Sequence, residues 1–110
     1  NKLRMRIDYA FMNARLRYQL LAQASTSAIL LPAVSEGLGV TILPYSAAYK
    51  EIHTGAIKAY HLTPSLSRKI SLCTSKSAPD RPAVTAVIEL IRSLTQGLID
   101  DGTWRHCELA

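Results

Sequence analysis

Three consecutive hydroxyl residues, Ser25-Thr26-Ser27, stand directly before the apolar run Ala28-Ile29-Leu30-Leu31-Pro32-Ala33-Val34. Hydroxyl groups at such a junction do one of two things. They cap the first free amides of a helix, which is worth about 1 kcal/mol. Otherwise they join those amides, and the positive end of the helix dipole, in holding a carboxylate, sulfate or phosphate. A second set, Pro44, Tyr45 and Ser46, follows the β-rich run Val40-Thr41-Ile42-Leu43. Ligands of open α/β sheets gather beyond the carboxyl ends of strands, so these three residues are the second candidate wall of a binding site. The plainer alternative for Tyr45 is packing with a satisfied hydroxyl.

Catalysis needs a nucleophile or an acid–base pair held by neighbours, and the chain offers no such constellation. Cys73 lies in an apolar, strand-like run and reads as a buried, inert thiol. His53 and His61 have no third ligand at metal spacing, and His106-Cys107-Glu108 matches a metal site by residue type alone, in a terminal stretch of the kind that frays. Asp100-Asp101 reads as a solvated helix end. Gly37 and Gly39 precede a strand, whereas a dinucleotide fingerprint places its glycines between strand and helix. The expectation is therefore no enzyme, no metal and no cofactor.

The elements that would position the two polar sets follow from spacing. Leu3, Ile7, Ala10, Phe11 and Ala14 recur at helical intervals, which predicts an amphipathic helix over Leu3 to Leu16, with Arg4 and Asp8 as an i,i+4 pair. Tyr18 to Ala24 reads as a short strand. The helix after Ser27 meets Pro32, which predicts either a later start or a kink. Gly37 and Gly39 end that helix and turn the chain into Val40 to Leu43, a run continuous enough to be buried on both faces, as strands of parallel sheets are. A short helix over Tyr45 to His53, broken by Gly55, and strands over Ile57 to Leu62 and Ile70 to Thr74 follow. After the polar linker Ser75 to Pro82, residues Val84, Val87, Ile88, Ile91, Leu94 and Leu98 mark the clearest helix, with Asp80 as cap, Pro82 in the first turn, and Gly97 or Gly102 at the far end. Alternating strands and helices argue for an α/β fold.

The chain has 110 residues, of which 48% are hydrophobic and 19% charged, a balance that excludes disordered and coiled-coil classes. No apolar run reaches the roughly 18 to 20 residues of a membrane span, and the polar opening is no signal peptide. Two cysteines are too few for a disulfide scaffold, so a reducing, cytoplasmic setting is expected. The net charge of +5 is concentrated in the first twenty residues, where Lys2, Arg4, Arg6, Arg15 and Arg17 face only Asp8. A basic cluster is the footprint of phosphate binding, but no zinc-finger spacing, paired aromatic motif or arginine-rich repeat accompanies it, and a solvated helix face is the favoured reading. The first residue is not Met and falls within a helical pattern, so the chain is expected to be a piece of a longer protein.

The order of these motifs resembles one family. The run Val34-Ser35-Glu36-Gly37-Leu38-Gly39-Val40-Thr41-Ile42-Leu43-Pro44 is similar to the helix–GxG–strand–Pro segment of LysR-type transcriptional regulators, in the second half of their effector-binding region. The Arg4-Met5-Arg6-Ile7-Asp8 helix upstream, and the Gly55 to Leu62 stretch, the Ile70 to Thr74 strand and the Pro-led final helix downstream, follow in family order. The nitrogen assimilation control subgroup is the nearest resemblance. The resemblance implies a periplasmic-binding-protein-like (type II) three-layer α/β sandwich, present here in part. Residues 1–75 would supply most of effector-binding subdomain II, and 76–110 the linker and the C-terminal helix returning to subdomain I. It implies a small-molecule effector between the subdomains, anionic by the chemistry of the site, and DNA bound through an N-terminal helix-turn-helix domain of the parent rather than through this segment. The carry-over of effector contacts falls on Ser25, Thr26 and Ser27; Pro44, Tyr45 and Ser46 match in location only. The apolar stripe of the last helix needs a partner surface, so self-association as a homo-oligomer, or a missing subdomain, is expected. A solute-binding protein of the same architecture, without a DNA-binding role, is the alternative.

Overall fold

The computed structural model describes residues 2–77 and 81–109. The chain divides into two units, Asn1–Lys69 and Ile70–Ala110. The first holds α1 (Lys2–Asn13), α2 (Ser27–Ser35), a single 3-10 turn (Tyr45–Ala47) and α3 (Tyr49–His53); the second holds α4 (Pro82–Asp100). None of these helices, among the described residues, is long and apolar enough to cross a membrane.

Each α-helix stops at a residue in the left-handed region. After α1, Arg15 adopts φ 55°. Its N–H donates to the Met12 carbonyl at 3.0 Å and the Leu16 N–H to the Phe11 carbonyl at 2.9 Å. These are the paired bonds of a Schellman end, which satisfy carbonyls the helix leaves open. The end of α2 has the same design, with Gly37 at φ 81°, Gly37 N–H to Val34 carbonyl at 3.0 Å and Leu38 N–H to Ala33 carbonyl at 3.0 Å. Gly55 follows α3 and Gly102 follows α4, at φ 80° and 79°. Gly102, not Gly97, closes the last helix; Gly97 lies inside it.

Pro32 neither delays nor ends α2. The helix begins at Ser27 and runs through Pro32, so the expectation of a later start is corrected. Proline removes the donor that would reach the Ala28 carbonyl, and the remaining turns, closed by the Schellman bonds, hold the helix. At the start of α4, Pro82 occupies the first turn and Arg81 is the extended N-cap residue, at φ −116° and ψ 131°, with no side-chain cap bond. The cap expected at Asp80 lies outside the described residues.

The four expected strands are not formed among the described residues. The stretches 18–24, 40–43, 57–62 and 70–74 carry no ladder. A strand exists only through bonds to a partner distant in sequence, and β-rich composition specifies the surface, not the partner. Double-sided burial of the Val40 to Leu43 run also fails, since Val40 is 97% exposed. Only Leu31 and Ala48 are buried among the described residues, and both belong to the first unit, in α2 and beside α3. The β-rich stretches accordingly stand exposed or half-buried among the described residues. Cys73, expected as a buried thiol in a strand, is exposed for the same reason.

Candidate functional site

Thr26 is the N-cap residue of α2, in extended backbone at φ −136° and ψ 151°. Its carbonyl accepts from the Ile29 and Leu30 N–H groups at 3.3 and 3.4 Å. Its side chain makes no cap hydrogen bond. Ser25 and Thr26 are exposed and Ser27 is half-buried. The plain-cap alternative is thereby not realised: the hydroxyls flank the helix start without closing its first amides. The hydroxyls of Ser25 and Thr26 thus stand exposed at the start of a nine-residue helix.

Pro44, Tyr45 and Ser46 come where the chain leaves the 40–43 stretch. Pro44 precedes the 3-10 turn and Tyr45 and Ser46 open it. Pro44 and Tyr45 are half-buried and Ser46 is exposed. Tyr45 meets Tyr49 edge-on with ring centroids 6.3 Å apart, and Tyr49 stacks on His53 at 5.5 Å and 23°. The turn thus aligns three rings at four-residue intervals, a packing arrangement that sequence spacing alone did not single out.

Two open concavities are formed by other residues. One, of about 570 Å³, lies at the C-terminal end of α1 and is lined by Asp8, Phe11, Met12, Arg15, Leu16, Arg17 and Tyr18. The other, of about 400 Å³, is lined by Arg81, Pro82, Thr85, Ala86 and Glu89 at the start of α4. Neither polar set lines these two.

Around the first concavity the chain is tied down by side chains. Tyr18 donates its hydroxyl to Asp8 Oδ1. Arg4 Nε lies 4.0 Å from Asp8 Oδ2, the i,i+4 pair expected from sequence. With its amide oxygen facing Arg4, Gln23 accepts from Nη1 and Nη2, the latter at 3.0 Å. Phe11 and Tyr18 meet edge-to-face at 4.9 Å. The hydrogen bond to Asp8, followed by burial and by the Asp8 charge, holds the Tyr18 phenol above its ordinary 10.0. Nothing in the sequence pairs Asp8 with Tyr18, because their approach depends on the left-handed turn at Arg15.

At the end of α4, Asp101 accepts from the Thr103 N–H at 2.8 Å and Asp100 from Gln96 Nε2 at 2.7 Å. Hydrogen bonding by the Thr103 side chain, then by its backbone, holds the Asp101 carboxyl below its ordinary 3.8. Both acids are exposed at the helix end, the solvated position read from sequence, and each accepts a hydrogen bond there. No group of three or more His, Cys, Asp or Glu able to hold a metal is present among the described residues.

Comparison with known proteins identifies the family. Residues 1–96 match the model of the LysR substrate binding domain. The nitrogen assimilation regulatory protein nac of Escherichia coli (strain K12) is 35% identical over 95 residues, which cover 84% of this chain and 30% of that protein. The protein of the same name from Klebsiella aerogenes is 33% identical over 95 residues, with the same shares. The chain therefore spans about 30% of the length of these curated relatives. No solved structure matches. Membership implies a periplasmic-binding-protein-like fold, and it meets the order of motifs read from Arg4 to the final helix: the chain belongs to the LysR substrate-binding domain family.

Proposed function

We propose that this chain is the effector-sensing part of a LysR-type DNA-binding transcriptional regulator, and that it takes a small anionic metabolite between two α/β subdomains. In this reading residues 1–75 are most of subdomain II, and 76–110 are the linker and the helix that returns to subdomain I. The parent works in the cytoplasm and reads DNA through a separate N-terminal domain, and its role is regulation rather than catalysis. The family match and the regulatory relatives support the class of function.

The observation that carries the ligand chemistry is the start of α2. Thr26 stands at the N-cap with its hydroxyl uncommitted to the cap, between exposed Ser25 and half-buried Ser27. Backbone amides and hydroxyls there form a neutral donor set at the positive helix end, which holds a carboxylate or phosphate without a buried counter-charge. Pro44, Tyr45 and Ser46 give the second contact, with Tyr45 braced by Tyr49. The test is amide hydrogen exchange on the complete effector region, titrated in turn with small di- and tricarboxylates, sulfate and phosphate. Protection of the 25–34 segment by an anion, absent with neutral analogues, supports the reading; unchanged exchange across the panel overturns it.

A further inference from the structure

We propose that the concavity at the C-terminal end of α1 is a second binding site, which takes a small organic anion with an apolar body, an aromatic or branched aliphatic carboxylate. Arg15 and Arg17 would hold the carboxylate, and Phe11, Met12 and Leu16 the apolar body. The site is separate from the start of α2 and does not rest on the function proposed there.

Its size is that of a ligand pocket: about 570 Å³, within the usual span of roughly 300 to 1,000 Å³. Its apolar lining is open to solvent, with Met12 66% and Leu16 61% exposed. Phe11 is fixed against the edge of Tyr18, whose hydroxyl is tied to Asp8. The one acid in the lining is thus already engaged, by Tyr18 and by Arg4. Arg15 and Arg17, both in the lining, have no ion pair among the described residues. A guanidinium presents a planar fork that matches a carboxylate in two parallel hydrogen bonds.

Backbone strain at Arg15 is an independent pointer. The other three α-helices end on glycine at the left-handed position, and α1 ends on an arginine at φ 55°. Such a conformation is unfavourable for a residue with a Cβ. Strain of this kind clusters at functional sites, and Arg15 lines the concavity. The negative end of the α1 dipole works against an anion here. That effect is blunted because the Phe11 and Met12 carbonyls are already bonded, and Arg15 and Arg17 add positive charge to the lining.

The experiment uses the whole 110-residue chain and three probes: 3-phenylpropionate, its neutral amide, and inorganic phosphate. Binding is followed by backbone amide chemical shifts. The proposal predicts saturable shifts at residues 11–18 with 3-phenylpropionate, and binding weaker by roughly tenfold or more for the neutral amide and for phosphate. Arg15→Gly, which suits the left-handed backbone, and Arg17→Gln are each expected to lower affinity by about tenfold with the helical circular dichroism unchanged. Absence of saturable shifts at 11–18, equal binding of either control probe, or affinities of both variants within error of the parent chain would overturn it.

Discussion

Leu21 Cδ1 lies 2.9 Å from the point where a Cβ would stand on Gly39. The two glycines of Gly37-Leu38-Gly39 therefore serve different ends. Gly37 supplies a backbone angle, φ 81°, with nothing within 4 Å of a built Cβ. Gly39 supplies room for a side chain that arrives from the 18–24 stretch. Both stand ahead of an extended run rather than between strand and helix.

This difference is measurable. Gly37→Ala forces a Cβ into the left-handed region and is expected to destabilise the first unit by about 1 kcal/mol. Gly39→Ala meets only the tip of Leu21, a side chain 59% exposed and free to rotate, so it is expected to shift the denaturation midpoint by less. Chemical denaturation of the two variants in parallel checks the order; a larger loss for Gly39→Ala contradicts it.

Arg15→Gly is expected to act in the opposite sense. It relieves the strained end of α1 at φ 55° and should stabilise the chain by up to about 1 kcal/mol, read as a higher melting temperature. Gain of stability with loss of carboxylate binding is the pattern of a residue retained for a ligand.

The helices were legible because their signals are local. Periodic apolar residues, Pro82 in a first turn and glycines past the ends fixed α1, α2 and α4 to within a few residues. The Arg4–Asp8 pair was legible for the same reason, since four residues on a helix set the approach. What depended on distant parts of the chain was not. Strands at 18–24, 40–43, 57–62 and 70–74 need partners that composition does not name, and Asp8 meets Tyr18 only because Arg15 reverses the chain between them. At the candidate site, position was readable and use was not: Thr26 fell at the N-cap as spacing implied, but only the folded structure shows its hydroxyl uninvolved in the cap.

Two exposed groups make stability respond to pH at opposite ends of the scale. Tyr18 is raised above 10.0, chiefly by its hydrogen bond to Asp8, so its contribution is complete below pH 10.0 and is lost as pH rises through the folded value. Asp101 is lowered below 3.8 by Thr103, so its contribution is complete above that pH and is lost as pH falls through the folded value. Phenolate absorbance of the chain against Tyr18→Phe, and the Asp101 carboxyl carbon shift against pH, should show the late and the early titration respectively. A Tyr18 titration below 10.0 contradicts the Asp8 hydrogen bond.

Along α4, Val87, Leu90 and Leu94 are 53%, 57% and 57% exposed. An apolar stripe of this kind favours association. Sedimentation at rising concentration is expected to show self-association, which Leu94→Glu weakens. A strictly monomeric profile at high concentration contradicts it.

Thr26→Ala separates a cap from a ligand contact. A capping hydroxyl would be worth about 1 kcal/mol of stability. Because the Thr26 side chain makes no cap bond, the variant is expected to melt with the parent chain. A clear drop in melting temperature would restore the plain-cap reading.

The most direct measurement is the affinity of the complete effector region for the small anion that the proposed function calls for, by titration calorimetry, with and without Thr26→Ala. The account predicts affinity weaker by roughly tenfold at unchanged melting temperature, the loss expected when a hydrogen bond to a charged group is removed. Affinity within error of the unaltered effector region would contradict the placement of the effector at the start of α2.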